Sequence, residues 1–348
     1  MNYVDTINRI RSLARGEECC NDELCHFLLD RDCYYLLSKS KRFANRALIP
    51  TTLNSYAAQT RYQTCANFFK KMNNIPYASI KGALLSARIY GNTSFRTSGD
   101  IDFLVPLKYS DEVKSLLHSE GFIQGRINGG EIVPYNRSEC VFQKSFTHQL
   151  APFVKMINNK LCPYIAIDIN FDITWGESQI TLDIHEFVKH IEKVELFGIP
   201  VNRLAPVYEF ISLCLHHYKD INSIYLIADR GISLSEYCDI YFYLINIRPD
   251  IDDLVSVTKQ YCIGKYVFYC IYYTHEIFKD ERLLVYLDKL VSEDAHKLID
   301  CYGLSDLERK EWNIPFYERL LDKNFKAKFY STLTSAEKRK IQINRRFM

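Results

Sequence analysis

The sequence lacks several features that would assign it to a familiar class. Its 12 cysteines form no C-x-x-C pair and show no cysteine and histidine spacing typical of a zinc site. No apolar run reaches the roughly 18 residues that a membrane-spanning helix needs. The first residues do not follow the basic-then-apolar order of a secretory signal. We therefore expect a cytoplasmic protein without a membrane segment, whose cysteines are reduced.

A large excess of charge of one sign is also missing. The 44 lysines and arginines nearly balance the 42 aspartates and glutamates, which leaves a net charge of +2. This balance provides no bulk attraction to nucleic acid or to an anionic membrane, so any phosphate binding must be local. Hydrophobic residues, by contrast, make up 47% of the 348 residues, which is enough for a large core.

The first informative stretch predicts a strand, a tight turn and a helix. Residues 77–80 have the composition of a short strand, Lys81-Gly82 follows, and residues 83–90 favour a helix that ends at Gly91. A glycine at such a junction lets backbone N–H groups approach a phosphate closely. Taken alone, however, Lys81-Gly82 is also typical of a plain turn between a strand and a helix.

Two carboxylates one residue apart begin the next predicted strand, residues 100–105. Because side chains alternate along a strand, Asp100 and Asp102 share one face while Ile101 and Phe103 occupy the other. Two such charges repel each other and require a counter-charge, most simply a metal ion.

A third strand, the second to carry acidic residues, is predicted at residues 164–174, where isoleucines alternate with polar residues. Asp168 or Asp172 could supply a third carboxylate to the same site, and the other would then be an ordinary solvated position. Carboxylates without histidine or cysteine suit Mg²⁺, which keeps water and substrate phosphates among its ligands. One or two Mg²⁺ ions beside a nucleoside triphosphate are therefore predicted.

These blocks resemble the DNA polymerase β-like nucleotidyltransferase superfamily, which combines a glycine turn, Asp-x-Asp on the next strand and a later single acid. More specifically, they look like the bacterial family of uncharacterised nucleotidyltransferases. It is carried by Ile80-Lys81-Gly82-Ala83-Leu84, Arg96-x-x-Gly99-Asp100-Ile101-Asp102, Ile167-Asp168-Ile169-Asn170 and Leu213-Cys214-Leu215-His216-His217.

The resemblance implies an α+β fold. Its polymerase β-like nucleotidyltransferase core would be a mixed sheet with helices on one side, flanked by N- and C-terminal helical regions. On this basis we expect an N-terminal helical region at residues 1–75, the core at 76–204 and a C-terminal helical region at 205–348.

The resemblance also implies an activity and a site. The enzyme would transfer a nucleoside monophosphate from an NTP to an acceptor with release of pyrophosphate. Asp100, Asp102 and Asp168 would be the catalytic, metal-binding carboxylates, and Lys81, Gly82 and Arg96 would bind the nucleotide. A small molecule, peptide or protein is favoured as acceptor over a long nucleic acid.

One departure from the superfamily keeps an alternative open. Many members have serine after the glycine of the turn, whereas this chain has Ala83, so one hydroxyl contact to a phosphate is missing. The alternative is a catalytically inactive nucleotide-binding or regulatory module of the same fold.

The histidines of the last block are interpreted as packing residues, because they lie in an apolar helical pattern. Further along, Ser233 and Glu236 have the spacing of a capping box at the start of another helix.

Overall fold

The computed structural model describes residues 2–347, in which helices outnumber strands. The α-helices follow the chain as α1 (Tyr3–Ala14), α2 (Asp22–Asp30), α3 (Tyr34–Ser38), α4 (Leu48–Thr64), α5 (Ala66–Lys71), α6 (Gly82–Tyr90), α7 (Ser110–Ser119), α8 (Arg137–Phe142), α9 (Ile184–Phe187), α10 (Pro206–Asn222), α11 (Ile224–Arg230), α12 (Leu234–Asn246), α13 (Ile251–Gln260), α14 (Gly264–Phe278), α15 (Leu284–Leu290), α16 (Glu293–His296), α17 (Phe316–Leu321), α18 (Phe325–Thr332) and α19 (Ser335–Phe347).

The strands are β1 (Ala78–Ile80), β2 (Ile101–Leu104), β3 (Ile123–Asn128), β4 (Glu131–Pro134), β5 (Phe153–Met156), β6 (Tyr164–Asn170), β7 (Ile191–Leu196), β8 (Ile199–Leu204), β9 (Cys301–Tyr302) and β10 (Lys310–Glu311). The first eight form one sheet in the order β4-β3-β5-β6-β2-β1-β8-β7, while β9 and β10 form a separate pair. The large sheet is mixed, because β2 runs parallel to β6 and antiparallel to β1.

The chain divides into two compact units. One unit consists of Ile49–Gly176 and Thr181–Glu209 and contains the eight-stranded sheet. The other is mainly helical and consists of the described residues up to Leu48, the short segment Glu177–Ile180 and the chain from Phe210 onward. None of the helices described within residues 2–347 is both long and apolar enough to cross a membrane.

The core of the sheet unit is built around Phe103 of β2, which is fully buried. Its ring lies 5.5 Å from the rings of both Phe68 and Phe69 of α5 and 5.6 Å from that of Tyr77, measured between centroids. Such aromatic pairs add directional contacts to the burial of apolar area. The face of β2 that carries Phe103 is therefore occupied by packing.

Several local predictions are confirmed. The strand before Lys81, the helix that ends at Gly91, and the acidic strands at 101–104 and 164–170 are all present. The α+β fold with a mixed sheet is confirmed as well, whereas the specific polymerase β-like core stays a prediction. The three regions 1–75, 76–204 and 205–348 also remain a prediction, since the units are groups of contacting residues rather than consecutive stretches.

The capping box predicted from Ser233 and Glu236 is wrong. A helix, α12, does begin at Leu234, but the Ser233 side chain makes no capping hydrogen bond. The Glu236 carboxylate instead lies 2.7 Å from Nδ1 of His217, a contact across helices that local sequence does not reveal.

A buried charge network fixes the end of α6. The Arg88 side chain is 3% exposed, and its guanidinium pairs with Glu192 of β7 and, at 3.0 Å, with Glu209. Glu192 also accepts a hydrogen bond from Arg203 of β8 at 3.1 Å. Removing one partner from such a buried pair leaves an uncompensated charge.

We therefore expect the Arg88→Met variant to lower the free energy of unfolding by about 3–5 kcal/mol. Chemical denaturation monitored by circular dichroism measures this loss. The matched control is Arg137→Met on α8, where the arginine is exposed; its change should stay within about 0.5 kcal/mol. Equal stabilities of the two variants would contradict a structural role for the network.

The segment Glu177–Ile180 brings a buried carboxyl into the helical unit. One carboxyl oxygen of Glu177, Oε2, is buried without a hydrogen-bond partner. Burial raises the pKa of Glu177 from 4.5 to about 7; Glu308 adds to the shift, while Tyr225 and Lys340 oppose it. The folded state therefore holds a proton that the unfolded chain releases between pH 4.5 and 7.

Because the folded state binds more protons in this window, the free energy of unfolding should fall as pH rises from about 4.5 to 7. The Glu177→Gln variant should lose this component, and Glu112→Gln, an exposed position on α7, should retain it. Urea titrations at half-unit pH intervals measure the slopes. Parallel curves for wild type and Glu177→Gln would contradict the assignment.

Candidate active site

The Lys81–Gly82 turn joins β1 to the first residue of α6 through an unusual backbone. Lys81 has φ of 58° and Gly82 has φ of 53°, so two successive residues lie at positive φ. For a lysine this conformation is strained, at a cost of order 1–3 kcal/mol. No side chain caps α6 at Lys81, which leaves the first backbone N–H groups of the helix directed outward from its N-terminus.

Gly82 lies directly against the loop that precedes β2. A Cβ atom added to Gly82 would meet the Ser98 Oγ at 3.2 Å, closer than most real contacts of a Cβ atom. The same Oγ donates hydrogen bonds to the Asp100 carbonyl at 2.8 Å and to Asp100 Oδ1 at 3.2 Å. Ser98 thus connects the turn to the first of the two aspartates.

Asp102 is the buried member of the carboxylate pair. It is 8% exposed, lies opposite Ile80 in the register of β1 and β2, and has its Oδ1 3.4 Å from the Lys81 Nζ. The lysine of the turn therefore supplies the nearest described positive charge to this carboxylate.

The third predicted carboxylate, Asp168, lies beside Asp102. The parallel strands β2 and β6 pair these two residues directly, so both side chains project from the same face of the sheet. The isoleucines at 165, 167 and 169 are fully buried on the other face. The two acidic strands are therefore neighbours in the sheet.

Asp172 occupies a different position, beyond the end of β6. Its Oδ1 accepts hydrogen bonds from the backbone N–H groups of Ile173 at 2.6 Å and Thr174 at 3.1 Å. Burial raises its pKa, and these hydrogen bonds oppose the shift. Asp172 therefore shapes the turn after the strand, whereas Asp168 faces Asp102.

The electrostatics of the aspartate pair favour a cation. Burial raises the pKa of Asp100, the negative charge of Asp102 raises it further, and Lys81, Ser98 and Arg61 oppose the rise. The donors are carboxylate and hydroxyl oxygens, the type that Mg²⁺ prefers. By the chemistry of these donors, Asp100 and Asp102 fit a magnesium ion.

A complete cluster of three ligands is not present. Within residues 2–347, no three side chains of histidine, cysteine, aspartate or glutamate are arranged to hold a metal ion. The structure thus brings Asp102 next to Asp168 and to Lys81, but the expected convergence of three carboxylates on one ion stays a prediction.

Two arginines complete the description of the region around β2. Arg96 is half-buried in the loop between α6 and β2. Sequence reasoning missed Arg61 of α4, whose Nη1 donates to the Ser98 carbonyl at 2.8 Å. No local motif marks this arginine, because its partner lies 37 residues further along the chain.

The histidines of the later motif lie on α10. His217 is 1% exposed and contacts Glu236 and the ring of Tyr237, as expected for a packing residue. Nε2 of His216 lies 3.2 Å from Asp220 Oδ2, and its Nδ1 lies 3.1 Å from the Lys219 Nζ. Although burial raises the pKa of Asp220, His216 and Lys219 hold it well below its ordinary value.

The fit between Gly82 and Ser98 can be measured. The Gly82→Ala variant should lose stability from its positive φ, about 1–2 kcal/mol, and a further ~1–3 kcal/mol from overpacking against Ser98. Gly91→Ala is the matched control: it ends the same helix at φ of 66° with no atom within 4 Å. Chemical denaturation should therefore show the larger loss for Gly82→Ala, and equal losses would contradict a tight contact.

Comparison with known proteins identifies the chain at the level of a family. A family model described as "Uncharacterised nucleotidyltransferase" matches residues 48–279, a span that includes α4, the Lys81–Gly82 turn, the three aspartates and the histidines of α10. The match confirms the family resemblance predicted from the sequence. A search of curated proteins found no match.

Proposed function

The chain belongs to the uncharacterised nucleotidyltransferase family, and from this membership and the site geometry we propose a magnesium-dependent transfer of a nucleoside monophosphate from an NTP to an acceptor, with release of pyrophosphate. The observation that carries the proposal is the arrangement around β2. Asp102 pairs in register with Asp168, follows Asp100 by two residues and lies next to the Lys81 of a turn that opens a helix.

The Lys81–Gly82 turn would hold the triphosphate. The N–H groups at the start of α6 attract negative oxygens, and Gly82 lets the backbone approach them without a side chain in between. Lys81 would exchange its contact with Asp102 for one with a phosphate oxygen. Arg96, in the loop before β2, would neutralise a further phosphate charge.

Asp100 and Asp102 would hold the metal on the donor side, and Asp168 would serve the acceptor. When bound, one or two Mg²⁺ ions would neutralise the triphosphate and lower the pKa of the acceptor hydroxyl. The acceptor oxygen forms a bond to the α-phosphorus while the bond from that phosphorus to the bridging oxygen of pyrophosphate breaks. Asp168 would accept the proton that the acceptor loses.

The acceptor is proposed to be a small molecule, a peptide or a protein. A net charge of +2 on 348 residues gives little of the attraction that binding a long nucleic acid requires. We assign donor binding to the core region 76–204 and acceptor selection to the helical regions 1–75 and 205–348. All 12 cysteines are free thiols, which suits the proposed location in the cytoplasm.

One observation favours a second candidate, an inactive module that binds a nucleotide without turnover. Ala83, the first residue after Gly82 on α6, is 4% exposed and has no hydroxyl to offer a phosphate. Such a module would use the same turn and the same carboxylates but would transfer nothing.

Nucleotide binding can be tested by isothermal titration of ATP and GTP in the presence of Mg²⁺. The double variant Asp100→Asn/Asp102→Asn should weaken binding at least about tenfold, because two ligands of the ion lose their charge. A melting curve of the same variant checks that it is folded under the conditions of the titration. The control Asp111→Asn lies on the exposed side of α7 and should bind like wild type. Identical heats for wild type and the double variant would refute the metal site.

Turnover is tested separately with α-³²P-labelled NTPs in a cell extract. An active enzyme should produce a labelled acceptor that mass spectrometry identifies, and the double variant should not. Nucleotide binding without any labelled product would favour the inactive module.

A further inference from the structure

One face of α4 donates hydrogen bonds to the loop that precedes the aspartate pair. Asn54 and Arg61 are seven residues apart and so lie two turns apart on the same side of the helix. The Asn54 Nδ2 donates to the Ser94 carbonyl and to the Thr97 Oγ1, both at 3.2 Å. Arg61 Nη1 donates to the Ser98 carbonyl at 2.8 Å. The loop is thus held at two points by one rigid element.

The contact between Arg61 and Ser98 connects α4 to Asp100. The Ser98 carbonyl accepts the hydrogen bond from Arg61. The Ser98 hydroxyl donates to the Asp100 carbonyl at 2.8 Å and to the Asp100 carboxylate at 3.2 Å. The same Ser98 side chain lies against Gly82. A displacement of Ser98 would therefore move both the carboxylate and the surface that the turn packs on.

α4 itself is firmly anchored in the sheet unit. Tyr62, the residue after Arg61, is 4% exposed, and its ring stacks on Phe69 at 5.3 Å with an interplanar angle of 11°. Burial raises the pKa of Tyr62 to about 12, and its hydroxyl lies 3.4 Å from the Ser79 Oγ on β1. Because α4 is anchored next to Arg61, the backbone of Arg61 is held in a fixed position.

The Arg61 guanidinium is only partly satisfied by these contacts. Its Nε is buried and has no hydrogen-bond partner. A buried unpaired donor is unfavourable for folding, so an arginine used purely for stability would be a poor choice at this position. A positive charge behind Asp100 has a separate use, since it offsets the repulsion within the aspartate pair.

We propose that Arg61 is a positioning residue, which holds the Asp100 carboxylate in its metal-binding place through Ser98, with Asn54 supporting the same loop. The role in positioning Asp100 follows from the contacts alone. Its consequence for nucleotide affinity rests on the proposed function.

The positioning is tested by hydrogen exchange measured by mass spectrometry on the protein without ligand. Peptides covering residues 92–100 should exchange several-fold faster in Arg61→Ala than in wild type, and to a lesser degree in Asn54→Ala. Peptides covering β6 should be unchanged. Gln59→Ala is the control, because this residue is exposed on the same helix. Equal exchange in Arg61→Ala and Gln59→Ala would overturn the proposal; if Arg61→Ala does not fold, Arg61→Lys and Asn54→Ala decide.

The consequence for the site is tested by titrating Mg²⁺ and ATP into the same variants. Arg61→Ala should raise the Kd about tenfold, the effect of losing a hydrogen bond made by a charged group. Arg61→Lys should recover part of the affinity, because it keeps the charge but not the planar geometry of the guanidinium. A purely structural arginine would instead lower the melting temperature and leave the Kd unchanged.

The two proposals fail in different ways. If wild type and the double aspartate variant give the same heats, the proposed function fails, and the exchange data still decide whether Arg61 positions Asp100. If wild type binds, the double variant does not, and Arg61→Ala binds like wild type, the positioning role is overturned while the proposed function stands.

Discussion

The repulsion between Asp100 and Asp102 is the constraint on which the site depends. Burial and the neighbouring carboxylate both raise the pKa of Asp100, and Asp102 is almost fully buried. Two such groups persist in a folded chain only where positive charge and hydrogen-bond donors surround them. Lys81 and Arg61 supply the charge, and Ser98 supplies the donor. Lys81 comes from the strained turn, Ser98 from the loop before β2 and Arg61 from α4, so three separate elements contribute to this balance.

Local sequence patterns predicted the elements that carry the site. Strict alternation with isoleucine identified β6, and the single glycines identified the turn before α6 and the end of that helix. The pairing of Asp102 with Asp168 is a long-range property, which alternation alone leaves open between Asp168 and Asp172. The structure distinguishes them because Asp172 lies past the last pair of the ladder and binds its own backbone.

Other features of the structure could not be predicted, because no local sequence pattern marks them. Strands β3 and β4 are an exposed edge hairpin, where no buried face imposes alternation, so residues 123–134 could not be assigned. The break at Cys65 between α4 and α5 has no proline or glycine beside it to mark it in the sequence. Arg61 and Asn54 resemble any polar helix residues until the fold brings the 94–98 loop beside them. Contacts that span tens of residues are determined by packing rather than by local chemistry.

The aromatic cluster at Phe103 has a practical consequence for anyone dividing this protein. The rings of Phe68 and Phe69, which contact Phe103, belong to α5, and Tyr77 also precedes the first strand of the sheet. An expression fragment that starts at the strand would leave this face of β2 open to water and to other chains, and would also omit the helix that holds Asp100 through Ser98. A soluble fragment of the sheet unit should therefore begin at or before Leu48, where α4 starts. Boundaries drawn at the motif alone would yield a chain prone to aggregation.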